Sequence, residues 1–206
     1  MCSDLLALPA SRLGDRLNVS SARNALTRRS APGRDVKLLA ALTLARIGET
    51  ARAKTILEEL EKNYTSDTIL KVYWLPAIKA AMELKANNST QAVLSLEPAA
   101  PYDLAGPPQF QLGTMYPAFI RGQAYLLAHN GAAAAAEFQR VLDHSGIVLN
   151  FVTGSLAHLQ IGRAYALSGD TAKAKAAYQD FLALWKDADP NIPILKQAKA
   201  EYAKLQ

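Results

Sequence analysis

The chain has a single cysteine, Cys2, in 206 residues. That excludes an internal disulfide and any metal site built from several thiolates. Aromatic residues make up only 7%, while alanine is plentiful, a balance that suits close-packed helices better than a β-sandwich. No apolar run approaches the roughly 18 residues that a membrane span needs. Val36 to Ile47, for instance, is broken by Lys37 and Arg46. The opening MCSDLLALPAS has no basic segment before its short apolar stretch, so it does not read as a secretory signal. Catalytic motifs are missing as well: there is no GxSxG elbow, Walker loop, HExxH or CxxC. His129, His144 and His158 share no metal-ligand spacing, and Glu58, Glu59 and Glu61 read as a solvated helix face. The expectation is a protein that is not an enzyme, holds no metal or cofactor and is cytoplasmic by default.

Half of the residues are apolar, enough for a core of one extended domain, and the formal net charge is +5. Much of the positive excess lies early, in Arg12, Arg16, Arg23, Arg28, Arg29 and Arg34. A basic arm can touch phosphate or anionic lipid, but no Lys/Arg block here is dense enough to favour that over a solvated end. Nucleic acid is therefore a disfavoured partner.

What is present is a repeating pair of amphipathic helices. It is clearest in SLAHLQIGRAYALSGDTAKAKAAYQDFLALWK, residues 155–186, where a Ser-Gly-Asp turn separates two helical periods. Hairpins of the same kind are predicted over 34–62, 69–97 and 116–144. Their turns fall at Gly48, which suits a left-handed helix end, and at Asn87-Asn88-Ser89. Glu49 or Thr50 offers an N-cap to the helix after Gly48. The small residue of each first helix falls at Ala41, Ala81, Gly122 and Gly162, and the alanine of each second helix at Ala53, Ala92, Ala134 and Ala174. Pro76 is tolerable if its helix starts near Val72 and would kink it otherwise. The Pro/Gly-rich stretch 97–114 reads as a loop inserted within one domain, and 145–154 as a partly buried connection. Residues 1–33 read as an irregular or partial hairpin, with Ala22, Ala25 and Leu26 on one face of a short helix over 18–30. A last helix over 190–206 shows an apolar stripe of Leu195, Ala198, Tyr202 and Leu205. Its polar side, Lys196, Gln197, Lys199, Glu201 and Lys204, fits a capping role at the end of a repeat array.

Small residues where two helices approach and aromatics where the wedge must be filled form the tetratricopeptide pattern, with a period of about 40 residues instead of the usual 34 or so. The fold expected is all-α, a TPR-like right-handed superhelix of antiparallel helix hairpins over 34–206 with a C-terminal capping helix. From about Pro32 onward, and most closely after Tyr116, the chain resembles the C-terminal TPR region of bacterial eukaryotic-like serine/threonine protein kinases. That resemblance implies an interaction or sensor region, often placed beyond a membrane helix, which would make the location extracytoplasmic. Kinase activity itself is excluded by the absence of a Gly-rich loop, a strand lysine, a His-Arg-Asp loop and Asp-Phe-Gly.

In a TPR the first helices line a groove. The groove positions are Leu38, Leu42 and Arg46 in the first hairpin and Ile78, Met82 and Lys85 in the second. In the third and fourth they include Tyr116, Phe119, Gln123, Leu156, Leu159 and Arg163. The expectation is a non-catalytic module holding a protein or peptide segment by apolar anchors, with Lys85 and Arg163 reading acidic groups. The alternatives are a detached sensor region of a kinase-like or transcriptional regulator, and a basic nucleic-acid-associated domain. Self-association through an uncapped N-terminal repeat is a further expectation.

Overall fold

The computed structural model describes residues 33–105, 115–149 and 151–205. The expected partial hairpin over 1–33, apart from Gly33, lies outside the described residues, as do 106–114 of the expected loop. Among the described residues every regular element is helical and no strand is formed. The chain forms two compact units, Met1–Tyr102 and Asp103–Gln206, and the division falls inside the 97–114 stretch.

In the first unit α1 (Arg34–Ile47) packs on α2 (Thr50–Asn63) and on α3 (Leu75–Lys85), which in turn packs on α4 (Ser89–Ser95). The expected face of α1, Leu38, Ala41, Leu42 and Ala45, is buried, as are Ala53, Ile56, Leu57 and Leu60 of α2. Pro76 sits deeper in helical backbone than its sequence context suggests, because Thr68 and Ile69 are already helical. The chain accommodates it with a π segment, Leu70–Trp74, in which the Leu75 amide reaches back five residues to the Leu70 carbonyl. A proline has no N–H and clashes with the carbonyl four residues back; widening the turn before it absorbs both defects. Asp67 anchors the start of this run. Burial would raise its carboxyl, but the Leu70 amide and the Arg34 guanidinium outweigh that and hold it below its ordinary value.

Residues 97–102, expected to belong to a loop, form a 3-10 helix with Ala99 fully buried. Pro98 and Pro101 pre-set the φ such a turn uses.

In the second unit α5 (Tyr116–Leu127) and α6 (Gly131–Asp143) form one hairpin, and α7 (Val152–Leu167) and α8 (Thr171–Leu184) another. Helix α7 packs on α6, α5 and α8, and α9 (Pro193–Ala203) packs on α8. Between the hairpins a single helical turn, Ser145–Val148, buries Val148, and Thr153 is buried at the start of α7, while Leu149 and Val152 stay exposed. The small residues do what their spacing implies. A Cβ at Gly122 would lie 2.7 Å from the Phe138 ring, and one at Gly162 would lie 3.1 Å from the Tyr178 ring. Phe138 and Phe119 meet edge to face at 5.5 Å, worth about 1 kcal/mol beyond their burial.

One turn closes all four hairpins. The left-handed residue is Gly48, Asn87, His129 or Gly169. Its amide reaches back three residues, and the next amide reaches back five: Glu49 to Leu44, Asn88 to Glu83, Asn130 to Tyr125, Asp170 to Tyr165. This is the Schellman arrangement, and it satisfies carbonyls that the ended helix leaves open. In three hairpins the following residue then caps the second helix: Asn88 accepts from the Gln91 amide, Asn130 from Ala133 and Asp170 from Lys173. The first hairpin differs from expectation, since Glu49 stands at the cap position without a side-chain cap bond. At Gly48, φ is +91° with no atom within 4 Å of an added Cβ, so the cost of Gly48→Ala is purely conformational. It is expected to be about 1 kcal/mol, read as a lower midpoint in urea with an unchanged slope.

Candidate functional site

The surface of the first unit carries an open cleft of about 620 Å³ between α2 and α3. Gly48 and Thr50 close one end, where the first hairpin turns, and Ala86 lies where α3 stops. The apolar side chains lining the cleft are the buried Leu57, the half-buried Met82 and the exposed Ala86. Around them stand Lys54, Lys79 and Lys85 against Glu58, Glu61 and Glu83, a balanced set of charges. Lys79 and Glu61 pair at 2.9 Å with both side chains about half exposed, a geometry worth at most about 1 kcal/mol and easily exchanged for other partners. Apolar contact at the base with mixed charge around it is the anatomy of a protein-binding patch. A balanced set of charges offers little to a phosphate backbone, which demands an excess of cations.

The residues expected to line a groove divide between the two units. Ile78, Met82 and Lys85 belong to α3, Tyr116, Phe119 and Gln123 to α5, and Leu156, Leu159 and Arg163 to α7. Of these, Met82 and Lys85 line the cleft. Ile78, Phe119 and Leu159, and likewise Leu38 and Leu42 of α1, are no more than 4% exposed and belong to the core instead of a binding surface. The spacing that marks a groove position also marks a face turned toward the neighbouring helix, and hydrophobicity cannot tell the two apart. Tyr116, Gln123 and Leu156 are half-buried.

Arg163 does not stand ready for an acidic ligand. Its guanidinium makes a two-pronged pair with Glu201 of α9, 2.9 Å on each arm, and Tyr178 donates its hydroxyl to the same carboxylate at 2.8 Å. Glu201, placed by periodicity on the solvated side of the last helix, is therefore buried at 6% exposure. Burial, and then the Glu201 charge, push the Tyr178 hydroxyl well above its ordinary range, so it remains a donor at any physiological pH.

A second ionic cluster ties α5 to α6. Arg121 bonds both oxygens of Glu137 at 2.8 Å and Asp103 at 2.6 Å, and Arg140 reaches the same Asp103 oxygen at 3.1 Å. The Asp103 side chain is completely buried. Burial pushes its carboxyl above the ordinary value, and the two guanidiniums offset this only in part. Arg121 is held charged by its two carboxylates against the same burial. Both clusters organise the fold. His144 donates from Nδ1 to the Arg140 carbonyl at 2.7 Å, which makes it a helix-end residue.

Among the described residues no three His, Cys, Asp or Glu side chains gather where a metal ion could sit, and no helix is long and apolar enough to cross a membrane. Comparison of the chain with family models, with curated proteins and with solved structures finds no significant match.

Proposed function

We propose that this chain is a helical-repeat scaffold of the TPR type that binds a segment of a partner protein without catalysis, and that the α2/α3 cleft of the first unit is its contact surface. The observation that carries the reading is the recurrence of one hairpin, closed by the same Schellman turn at Gly48, Asn87, His129 and Gly169, at intervals of about forty residues. Such repeats stack first helix on first helix, as α1 does with α3 and α5 with α7. A stacked array leaves clefts between hairpins, and one of these holds Met82 and Lys85, two of the residues that repeat spacing assigns to binding. Met82 supplies an adaptable apolar anchor and Lys85, exposed at the end of α3, a charge that can select an acidic group.

The test is affinity capture with the intact chain and with a Met82→Glu/Lys85→Glu variant. A protein retained by the first and lost by the second, at equal helical content by circular dichroism, is the expected result. Equal retention by both would remove the cleft from the proposal. Strongly salt-dependent binding of DNA or RNA would replace the proposal with a nucleic-acid role.

A further inference from the structure

The cleft between α2 and α3 continues past the Lys79–Glu61 pair. Beyond it lies a second hollow of about 480 Å³, walled by Lys71, Leu75, Pro76, Ser95 and Pro98, and the two hollows share Glu61 and Lys79. The 2.9 Å pair is thus a bar across the middle of one groove, with both of its side chains about half exposed. Along α3 and its end the strip runs Leu75, Lys79, Met82, Ala86, a spacing that stays on one face of the helix. From Leu75 to Ala86 this is about 16 Å at 1.5 Å per residue, and Lys71 adds one more turn.

The residues that flank the groove explain why it is open. Counted from the left-handed residues of the turns, Thr50 stands where Gly131 stands on α6, and Lys79 and Met82 where Ile161 and Ala164 stand on α7. In the second unit that seam is shut: Ile161 and Ala164 are buried, and a Cβ on Gly131 would lie 2.6 Å from the Ala164 carbonyl oxygen. A threonine, a lysine and a methionine at the same three places do not allow that approach.

Length and chemistry select the occupant. The floor is apolar, with Leu57 and Met82 on one side of the bar and Leu75, Pro76 and Pro98 on the other. The long walls are helices whose backbone groups are already paired, so an extended segment would find no edge to bond and would strand its own amides over that floor. A helix satisfies its backbone internally and presents apolar residues three and four apart. Charge then selects among helices. Among the described residues no carboxylate pairs with Lys54 or Lys85 at the turn end or with Lys71 at the far end, while Glu58 and Glu83 stand between. We propose that the groove takes an amphipathic helix of a partner protein, about three to four turns long, with an acidic residue near each end and a basic one between. This rests on the reading of the cleft as a contact surface and extends it to the Lys71 end.

Selection on the full chain from a display library of random peptides of about sixteen residues, enough for four helical turns, tests it. The selected peptides should carry apolar residues at helical spacing with acidic residues toward both ends, and should become helical on binding by circular dichroism. Met82→Glu should abolish their binding, and Lys71→Glu and Lys85→Glu should each weaken it about tenfold, at unchanged helical content of the chain. Peptides that lose affinity in Met82→Glu but not in Lys71→Glu, or that have no helical period, would overturn this proposal and leave the cleft as a contact surface. Peptides indifferent to Met82→Glu, or no selected peptide at all, would overturn both. A chain that dimerises with concentration and reverts to a monomer in Met82→Glu would also overturn the proposal, since the groove would then belong to a second copy.

Discussion

Replacing Arg121 with methionine is expected to destabilise the second unit by about 3–5 kcal/mol. The substitution keeps most of the side-chain volume, so the loss is electrostatic. It removes three hydrogen bonds and leaves Asp103, whose side chain has no exposed surface, with Arg140 alone. The Asp103 carboxyl, already lifted by burial, would rise further and take up a proton instead of remaining an unpaired charge. A group whose pKa is raised by folding favours the folded state below its unfolded value and loses that advantage as pH climbs through the folded value. The deficit of Arg121→Met relative to the parent should therefore be smallest in acid and grow toward neutral pH. Adding Asp103→Leu removes the stranded carboxylate and should recover a large part of the loss, with the remainder reflecting Glu137. Denaturant melts of the parent, the single variant and the pair, at two pH values, check all three statements. An Arg121→Met chain as stable as the parent at neutral pH would show that the cluster contributes nothing net.

The second large effect is steric. A Cβ on Gly131 would lie 2.3 Å from Ser168 Oγ and 2.6 Å from the Ala164 carbonyl oxygen. The hydroxyl can rotate away, but the carbonyl belongs to the last turn of α7 and moves only if that turn opens. Gly131→Val is thus expected to cost about 2–3 kcal/mol, a fall in Tm of roughly 10 °C. The contrast is Gly146, where a Cβ meets nothing within 4 Å and the same substitution should cost far less. Thermal unfolding of the two variants side by side separates close approach from a general intolerance of valine. Equal melting temperatures would mean that α6 and α7 do not approach as closely as Gly131 requires.

What the sequence discloses and what it withholds follow from the range of the interactions. Turns are local, so Gly48, Asn87 and Gly169 announce left-handed helix ends and the structure has them there. Apolar period is also local, and the buried faces of α1, α2 and α8 follow it. His129 takes the same left-handed conformation, and neither glycine nor asparagine marks it. Glu201 misleads for a different reason: its partner Arg163 is 38 residues away, and a carboxylate on an amphipathic helix reads as solvated unless that partner is known. Asp103 lies in a Pro/Gly-rich connection, where burial of a charge has no local signature. Gly131 is masked by the alanines after it, so a close approach looks like low complexity. Within the proposed site Met82 and Lys85 are legible from repeat spacing. Lys54, Glu58, Lys79 and Glu83 are not, because they enter only when α2 is laid beside α3.

The most direct measurement is site-specific photo-cross-linking from position 82 in the intact chain, with position 186, exposed in the second unit, as its control. The account predicts that position 82 joins one defined segment of a partner protein, that Lys85→Glu weakens the cross-link, and that position 186 joins none. Equal labelling from both positions, or labelling from 186 alone, would contradict it and take the binding role away from the α2/α3 cleft.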